Sequence, residues 1–221
     1  MSKKSQLLSF CAVATLAAAL STHANAADPI KVGVVTPLSG TYAPIGKQVR
    51  WGAELAVKEI NAAGGVGGRP FELLFEDEEA NPPVAVRKSE KLLQQDKVDL
   101  LTGTVNSGST LAVGQLAERN NRILVTTVSY ATSITAAQCN PNVFRVNANA
   151  FMQSNALTSW LTKNVSGKRY FFLGPDYEMG RSTISAGTGV TVVFPLSFVT
   201  FVFGFGFGVV LVFGFGMTPS I

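Results

Sequence analysis

Two short hydroxyl-rich clusters carry most of the chemistry this sequence can offer. Ser107, Gly108, Ser109 and Thr110 form one, and Ser129, Tyr130, Ala131 and Thr132 form the other. A serine hydroxyl both donates and accepts, and the first N–H groups of a helix have no partner inside it. A corner built from both favours a carboxylate or another anion. The same residues also suit an ordinary helix cap, in which Ser107 or Ser109 satisfies those N–H groups itself. The two roles are compatible. At the second cluster a plain turn competes with a ligand loop, in which the Thr132 hydroxyl and the Ala131 backbone close on the same group. Tyr42 and Tyr130 would then supply apolar walls with a polar edge.

Catalysis is poorly supplied. The one histidine, His23, lies in an N-terminal segment read below as removed. The commonest general base and metal ligand is therefore missing from the mature chain. No GxxxxGK[ST] loop occurs. Gly64-Gly65-Val66-Gly67-Gly68 follows a helical pattern rather than a first strand, so it is no nucleotide fingerprint. A catalytic Ser or Cys needs a base, and none is evident. The acidic run Glu76-Asp77-Glu78-Glu79 could hold a hard cation, but it reads better as a solvated strand end. The expectation is binding without turnover, with no cofactor and no metal.

The elements that must position these clusters alternate. Ile30 to Thr36 is a β-rich run closed by Pro37, and a loop rich in Pro, Gly and Ser follows it. Val49, Ala53, Ala56 and Ile60 recur at helical spacing from near Lys47, until Gly64-Gly65 stops the helix. Strands are expected over 70–75, 98–101, 123–128, 144–146 and 168–173. Helices are expected over 82–95, 110–120 and 150–163, with a loop over 174–180. Strand and helix in strict alternation predict an α/β fold, a parallel sheet with helices on both faces. Ligands of such sheets bind outside the C-terminal ends of the strands, and both hydroxyl clusters fall there.

The N-terminus reads as an export signal. Lys3 and Lys4 precede the apolar stretch Leu7 to Leu20, and Ala24-Asn25-Ala26 offers a cleavage site after Ala26. A buried N-terminal helix is the competing reading. Cleavage would remove Cys11 and leave Cys139 as a buried free thiol or as half of a disulfide. The net charge is +4, and the basic residues are scattered rather than gathered among aromatics, which argues against a nucleic-acid partner.

Several segments together resemble the periplasmic substrate-binding proteins of branched-chain amino acid and amide ABC transporters, the family of the leucine/isoleucine/valine-binding proteins. They are IKVGVVTPLSGTYAPIG at 30–46, GAELAVKEINAAGGVGGRPFELLFEDEEANPPVA at 52–85, TGTVNSGSTLAV at 102–113, SYATSIT at 129–135, NVFRV at 142–146 and GPDYEMGR at 174–181. The resemblance covers about 28–185. It implies a two-lobed periplasmic binding protein of type I. A signal peptide would span 1–26, a first lobe 27–146 and the start of a second lobe 147–185. It also implies that Ser107 and the Tyr130-Ala131-Thr132 loop hold a ligand carboxylate, and that Tyr177 brings an aromatic ring over the ligand from the second lobe. Tyr130 replaces the small residue usual in amino-acid binders, which points toward an amide, urea or aromatic ligand as well as an amino acid. No residue matches the acidic group that holds an α-ammonium in the family. The implied partners are a small amino acid or amide and an inner-membrane ABC permease. An extracellular sensor domain of the same fold is the alternative, as is a non-functional truncated product.

After Arg181 the chain carries no charge, and Phe201, Phe203, Phe205 and Phe207 alternate with Gly204, Gly206 and Gly208. A membrane span and a β-hairpin compete here with a frameshift or premature end, which is the reading favoured for the tail at 186–221. The family needs roughly twice this mature length, so the first lobe is expected to be largely present and the second incomplete.

Overall fold

The computed structural model describes residues 28–164, 172–190 and 211–212. The expected signal segment and most of the 186–221 tail lie outside them, as does the start of the strand expected at 168–173. The first part of the chain builds one sheet from β1 (Ile30–Thr36), β2 (Phe71–Asp77), β3 (Leu100–Gly103), β4 (Leu124–Thr126) and β5 (Val143–Arg145). Their order is β2-β1-β3-β4-β5, and all four pairings are parallel. This is the α/β architecture that the alternating pattern predicts.

β1 is an interior strand, between β2 and β3. It carries Val32, Val34 and Val35 in an unbroken buried run, as a strand covered on both faces must. Val32 stands opposite Leu73 on one side and Leu100 on the other. The connections are α1 (Ala43–Ala62), α2 (Pro82–Gln94) and α3 (Ser107–Arg119), with a short 3₁₀ helix at Thr132–Thr135 between β4 and β5. The chain moves one way from β1 to β2 and back across β1 to reach β3. Right-handed crossovers therefore put α1 on one face and α2 and α3 on the other. α2 and α3 pack against each other. The main core lies under them, from Ala85, Leu92 and Leu93 on α2 and Val113, Leu116 and Ala117 on α3 to Leu101, Leu124 and Val143 in the sheet.

α1 is more open. Its half-buried stripe runs through Val49, Ala53, Val57 and Ile60, while Ala56, expected in that stripe, is exposed. An i, i+4, i+8 row continues straight along the helix face, and Ala56 falls one position off it. The helix ends as expected at Gly64 and Gly65, both with positive φ. Past β5 the chain leaves the sheet. α4 (Ala150–Asn164) and α5 (Glu178–Val190) pack together, and β6 (Phe172–Leu173) pairs antiparallel with β7 (Leu211–Val212). Among the described residues no helix is long and apolar enough to cross a membrane.

Four boundaries differ from expectation in ways that matter for the site. β2 continues through Glu76 and Asp77, because both pair with the end of β1. β3 runs to Gly103 rather than Leu101. α3 starts at Ser107 rather than near Thr110, and α5 starts inside the expected 174–180 loop. Gly103 allows the β3 extension. Its φ is +103°, and a Cβ there would stand 2.4 Å from the Val35 carbonyl oxygen. Gly103→Ala should therefore lower stability by about 3 kcal/mol, combining backbone strain with a clash in the central sheet. Urea unfolding measures it. A loss below about 1 kcal/mol would show that β3 can end earlier without cost.

Candidate functional site

The strand order reverses between β1 and β3, which opens a crevice at their C-terminal ends. The residues around it are held by side chains that replace the lost sheet ladder. After Gly103 the backbone turns through Thr104, whose φ is 59°, and reaches Asn106. Asn106 is the cap of α3: its Oδ1 accepts from the N–H groups of Gly108 at 2.8 Å and Ser109 at 3.2 Å. The cap expected from Ser107 or Ser109 is thus supplied one residue earlier. Two of the α3 N–H groups are already satisfied, which leaves the Ser107 side chain to another task.

That task is a link to the second cluster. Ser107 is 1% exposed, and its Oγ accepts the Ala131 N–H at 3.2 Å. The two hydroxyl clusters are therefore neighbours, as the adjacency of β3 and β4 requires. Accepting that bond leaves the Ser107 proton available to a ligand. The hydroxyl meets a backbone N–H rather than a base, so nothing activates it as a nucleophile.

Beneath the link lies a buried hydroxyl network that ties β3 to β4. Thr110 Oγ1 donates to Thr104 Oγ1 at 2.8 Å and is also paired with the Ser129 hydroxyl. Ser129 Oγ also lies 3.0 Å from the Thr104 carbonyl, and Thr104 Oγ1 lies 3.2 Å from Thr126 Oγ1. All four residues are fully buried. Satisfied hydroxyls in such a place fix geometry, whereas an unsatisfied one would be costly.

Arg145, from β5, sets the orientation of the second loop. Its Nη1 donates to the Ser129 carbonyl at 2.6 Å, and its Nη2 donates to the Ala131 carbonyl at 2.6 Å. Burial draws its pKa down, but a guanidinium remains charged. In a trans peptide the C=O and N–H point opposite ways. With the Ala131 carbonyl on Arg145, the Thr132 N–H must face away, toward the crevice. It donates there to Ser182 Oγ on α5 at 2.7 Å. Ser133 Oγ donates to Glu178 Oε1, one helical turn earlier on α5, at 2.5 Å. Thr132 Oγ1 accepts the Phe151 N–H at 3.2 Å, which binds the start of α4 to the same loop.

The tyrosines fall into two groups. Tyr42, just before α1, lies close enough to Tyr177, just before α5, to act on its phenol, and burial, the larger cause, pushes the Tyr177 phenol well above its ordinary pKa. Tyr130 is fixed through its backbone, its carbonyl accepting the Ala150 N–H at 2.7 Å. So the structure joins Ser107 to Ala131, carries the next donor at Thr132, and sets Tyr42 beside Tyr177. Cys139 lies elsewhere, exposed and free among the described residues, which removes the buried-thiol reading.

The residues that sequence reasoning passed over are Asn106, Arg145, Glu178 and Ser182, and Glu78 was read as part of a solvated strand end. Asn106 directly precedes the Ser-Gly-Ser-Thr run and was readable as a cap. The acidic run is the clearest correction. Glu76 binds Lys88 and Lys91, each at 2.7 Å. Asp77 Oδ1 accepts the Leu38 and Glu79 N–H groups at 2.8 and 2.9 Å. Glu78 is fully buried rather than solvated. No acidic or histidine cluster suited to a metal occurs among the described residues. The site presents hydroxyl and N–H donors, with the Arg145 guanidinium behind one loop and the Glu78 carboxyl behind the other. Chemically, such an arrangement can accept a small anion or carboxylate.

The family model of the periplasmic binding proteins matches residues 29–190. A Leu/Ile/Val-binding protein homologue of Brucella melitensis is 31% identical over 180 residues, covering 81% of this chain and 47% of its own length. A solute-binding protein of an R. palustris ABC transporter, solved with benzoate, superposes with a TM-score of 0.70 at 31% identity and covers 79% of this chain and 49% of that one. A branched-chain amino acid transporter substrate-binding protein of Streptococcus pneumoniae, solved with isoleucine, shares the fold with a TM-score of 0.71 at 24% identity, over 79% of this chain and 50% of that one. These relatives are binding proteins and not enzymes. The chain spans about half the length of the curated relatives it matches.

The Arg145 geometry yields a stability test. Arg145→Met leaves two carbonyls without their charged donor and should cost about 2 kcal/mol. Arg145→Lys should recover less than half of it, because one ammonium cannot span both oxygens as a planar fork does. Chemical denaturation of the three proteins checks this, and equal midpoints would mean that the loop holds itself.

Proposed function

The chain belongs to the periplasmic binding protein family, and from that premise we propose that residues 27–146 are the carboxylate-holding lobe of a solute receptor. The receptor is exported through the segment ending at Ala26 and works in the periplasm. It captures a small amino acid or a related carboxylate or amide and delivers it to an inner-membrane ABC permease. The observation that carries the reading is the bond from the Ala131 N–H to Ser107 Oγ at 3.2 Å. It sets a hydroxyl proton and the outward Thr132 N–H side by side at the mouth of the crevice.

In this reading the ligand's carboxylate lies against Ser107 and Thr132. It takes the Thr132 N–H that Ser182 Oγ now holds. Exchanging one hydrogen-bond acceptor for another is nearly neutral, and a charged acceptor makes the stronger bond. The residues from 147 onward form the start of the opposing lobe. Tyr177 on that side and Tyr42 on the first enclose the remainder of the ligand, with Tyr130 flanking the loop. Ligand contacts on both sides favour the closed arrangement.

Two ligand classes fit this surface. The name of the Brucella relative favours a branched aliphatic amino acid. The tyrosines, together with the benzoate held by the R. palustris relative, favour an aromatic carboxylate. Aromatic rings stack and meet edge to face with contributions of about 1 kcal/mol beyond area burial. Titration calorimetry with leucine, isoleucine, valine and benzoate separates the classes. Ser107→Ala should weaken the preferred ligand about tenfold, as expected for one lost hydrogen bond to a charged group. Thr132→Ala should weaken it less, because the donor there is the backbone. Unchanged affinity in both variants would remove this site from consideration.

A further inference from the structure

Glu78 is a buried carboxylate that the binding reading leaves without a role. It follows β2 directly, and its side chain reaches past the end of β1 to the loop after β3. Its Oε1 accepts the Val105 N–H at 2.7 Å. Val105 lies between Thr104, in the left-handed region, and the cap residue Asn106, two positions before Ser107. No cation balances Glu78 among the described ion pairs, since Lys88 and Lys91 are engaged by Glu76. Its Oε2 makes no well-aligned hydrogen bond, although the Asn106 N–H and the Ser109 hydroxyl stand close enough to favour the ionised form.

A buried carboxylate facing only neutral groups is expensive to ionise. Around it, β1 presents Thr36, α2 its cap Asn81, and α3 Asn106 and Ser109, all uncharged. The neighbouring Asp77 is the charge that acts on it. Burial opposes ionisation of Asp77 too, but the Ser39 hydroxyl and the N–H groups of Glu79, Leu38 and Ser39 hold its pKa below the ordinary value. Asp77 therefore stays charged while Glu78 titrates.

We propose that Glu78 is a positioning residue for the carboxylate-holding corner: its ionised side chain, fixed on the Val105 N–H, sets the loop that presents Ser107, and ligand affinity follows its charge state. The inference rests on the receptor reading above. Burial pushes the Glu78 pKa up to about 7, against the pull of the Val105, Ser109 and Asn106 donors and with a further push from Asp77. The ionised carboxylate offers only acceptors to the Val105 N–H, whereas the protonated group brings a competing donor into a loop already full of donors. Two quantities then respond oppositely to pH. The folded-state pKa lies above the unfolded one, so this group's contribution to stability is fully present below about 4.5 and is lost as pH rises to about 7. Ligand affinity instead rises over the upper part of that range. A residue that merely supported the fold would move both in the same direction.

The experiment is a ¹⁵N NMR titration of the ligand-free chain between pH 5.5 and 8.5, with calorimetry using leucine and benzoate as probes. Neither probe changes its own charge over those pH values. The expected result is that the Val105 and Ser107 amide signals titrate together with a midpoint near 7, and that they stay flat in Glu78→Gln. The affinity of whichever probe binds should be about tenfold weaker at pH 6 than at pH 8 in the wild type and independent of pH in Glu78→Gln. Should that variant not fold, Glu78→Asp withdraws the carboxylate by one methylene and should shift the midpoint. Amide signals that do not titrate overturn the proposal, and so does a titration that leaves affinity unchanged or reverses its slope. If neither probe binds at any pH, the receptor reading is what fails, and the amide titration still decides whether Glu78 sets the Ser107 loop.

Discussion

The peptide groups at the C-terminal edge of the sheet lose their ladder partners within a few residues of one another, and everything at the crevice depends on how they are satisfied instead. β1 stops pairing after Thr36, β3 after Gly103 and β4 after Thr126. Backbone groups in a buried place cannot be left without partners. The chain answers with side chains: Asp77 on the Leu38 N–H, Glu78 on the Val105 N–H, Asn106 on the first turn of α3, and Arg145 on two carbonyls after β4. They come from three places, the end of β2, the loop before α3 and β5, so the crevice is rigid only when all three are in place.

The parallel α/β class was legible because it rests on simple periodicities. Val32, Val34 and Val35 mark a strand buried on both faces, and the helical stripes between strands leave little choice but a parallel sheet. The strand order is supplied by the structure, and with it the adjacency of Ser107 and Ala131 that the sequence left conditional. The boundaries were less legible, because they depend on single residues whose effect is tertiary. Gly103 extends β3 by accepting a backbone approach no other residue allows, and Asn106 moves the start of α3 to Ser107. The acidic run misled for a related reason. Four consecutive acidic residues look solvated in sequence, yet Glu76, Asp77 and Glu78 have three different sets of partners. Burial of Glu78 becomes visible only when β2 and the loop after β3 are seen on either side of β1. Likewise, nothing in the sequence joins Tyr42 to Tyr177 or Arg145 to the loop after β4.

The contacts that cross the crevice differ in kind from those beneath it. Below, the core under α2 and α3 is aliphatic and close-packed, and it resists rearrangement. Across, the contacts are a serine on a backbone N–H, a carboxylate on a serine and one phenol beside another. Polar contacts of this sort lose little when water or a ligand replaces one partner, because the exchange conserves hydrogen bonds. The sheet side of the molecule is therefore held by packing and the facing side by polar bonds, which is the division that the proposed receptor would need.

The polarity of the corner follows from the same bonds. Arg145 takes the Ser129 and Ala131 carbonyls from behind, so planarity turns the Thr132 N–H toward the crevice. Glu78 takes the Val105 N–H from the opposite flank, and Asn106 takes those of Gly108 and Ser109. The donors left facing the opening are therefore few and specific: the Ser107 hydroxyl and the Thr132 N–H. A positive group stands behind one loop and a negative group behind the other, each bound to backbone rather than to its opposite. Had the two charges met, they would have neutralised each other and left the loops to orient themselves. Kept apart, each uses its charge to fix a peptide plane, and in the proposed receptor the corner would select a carboxylate by donor geometry rather than by net charge.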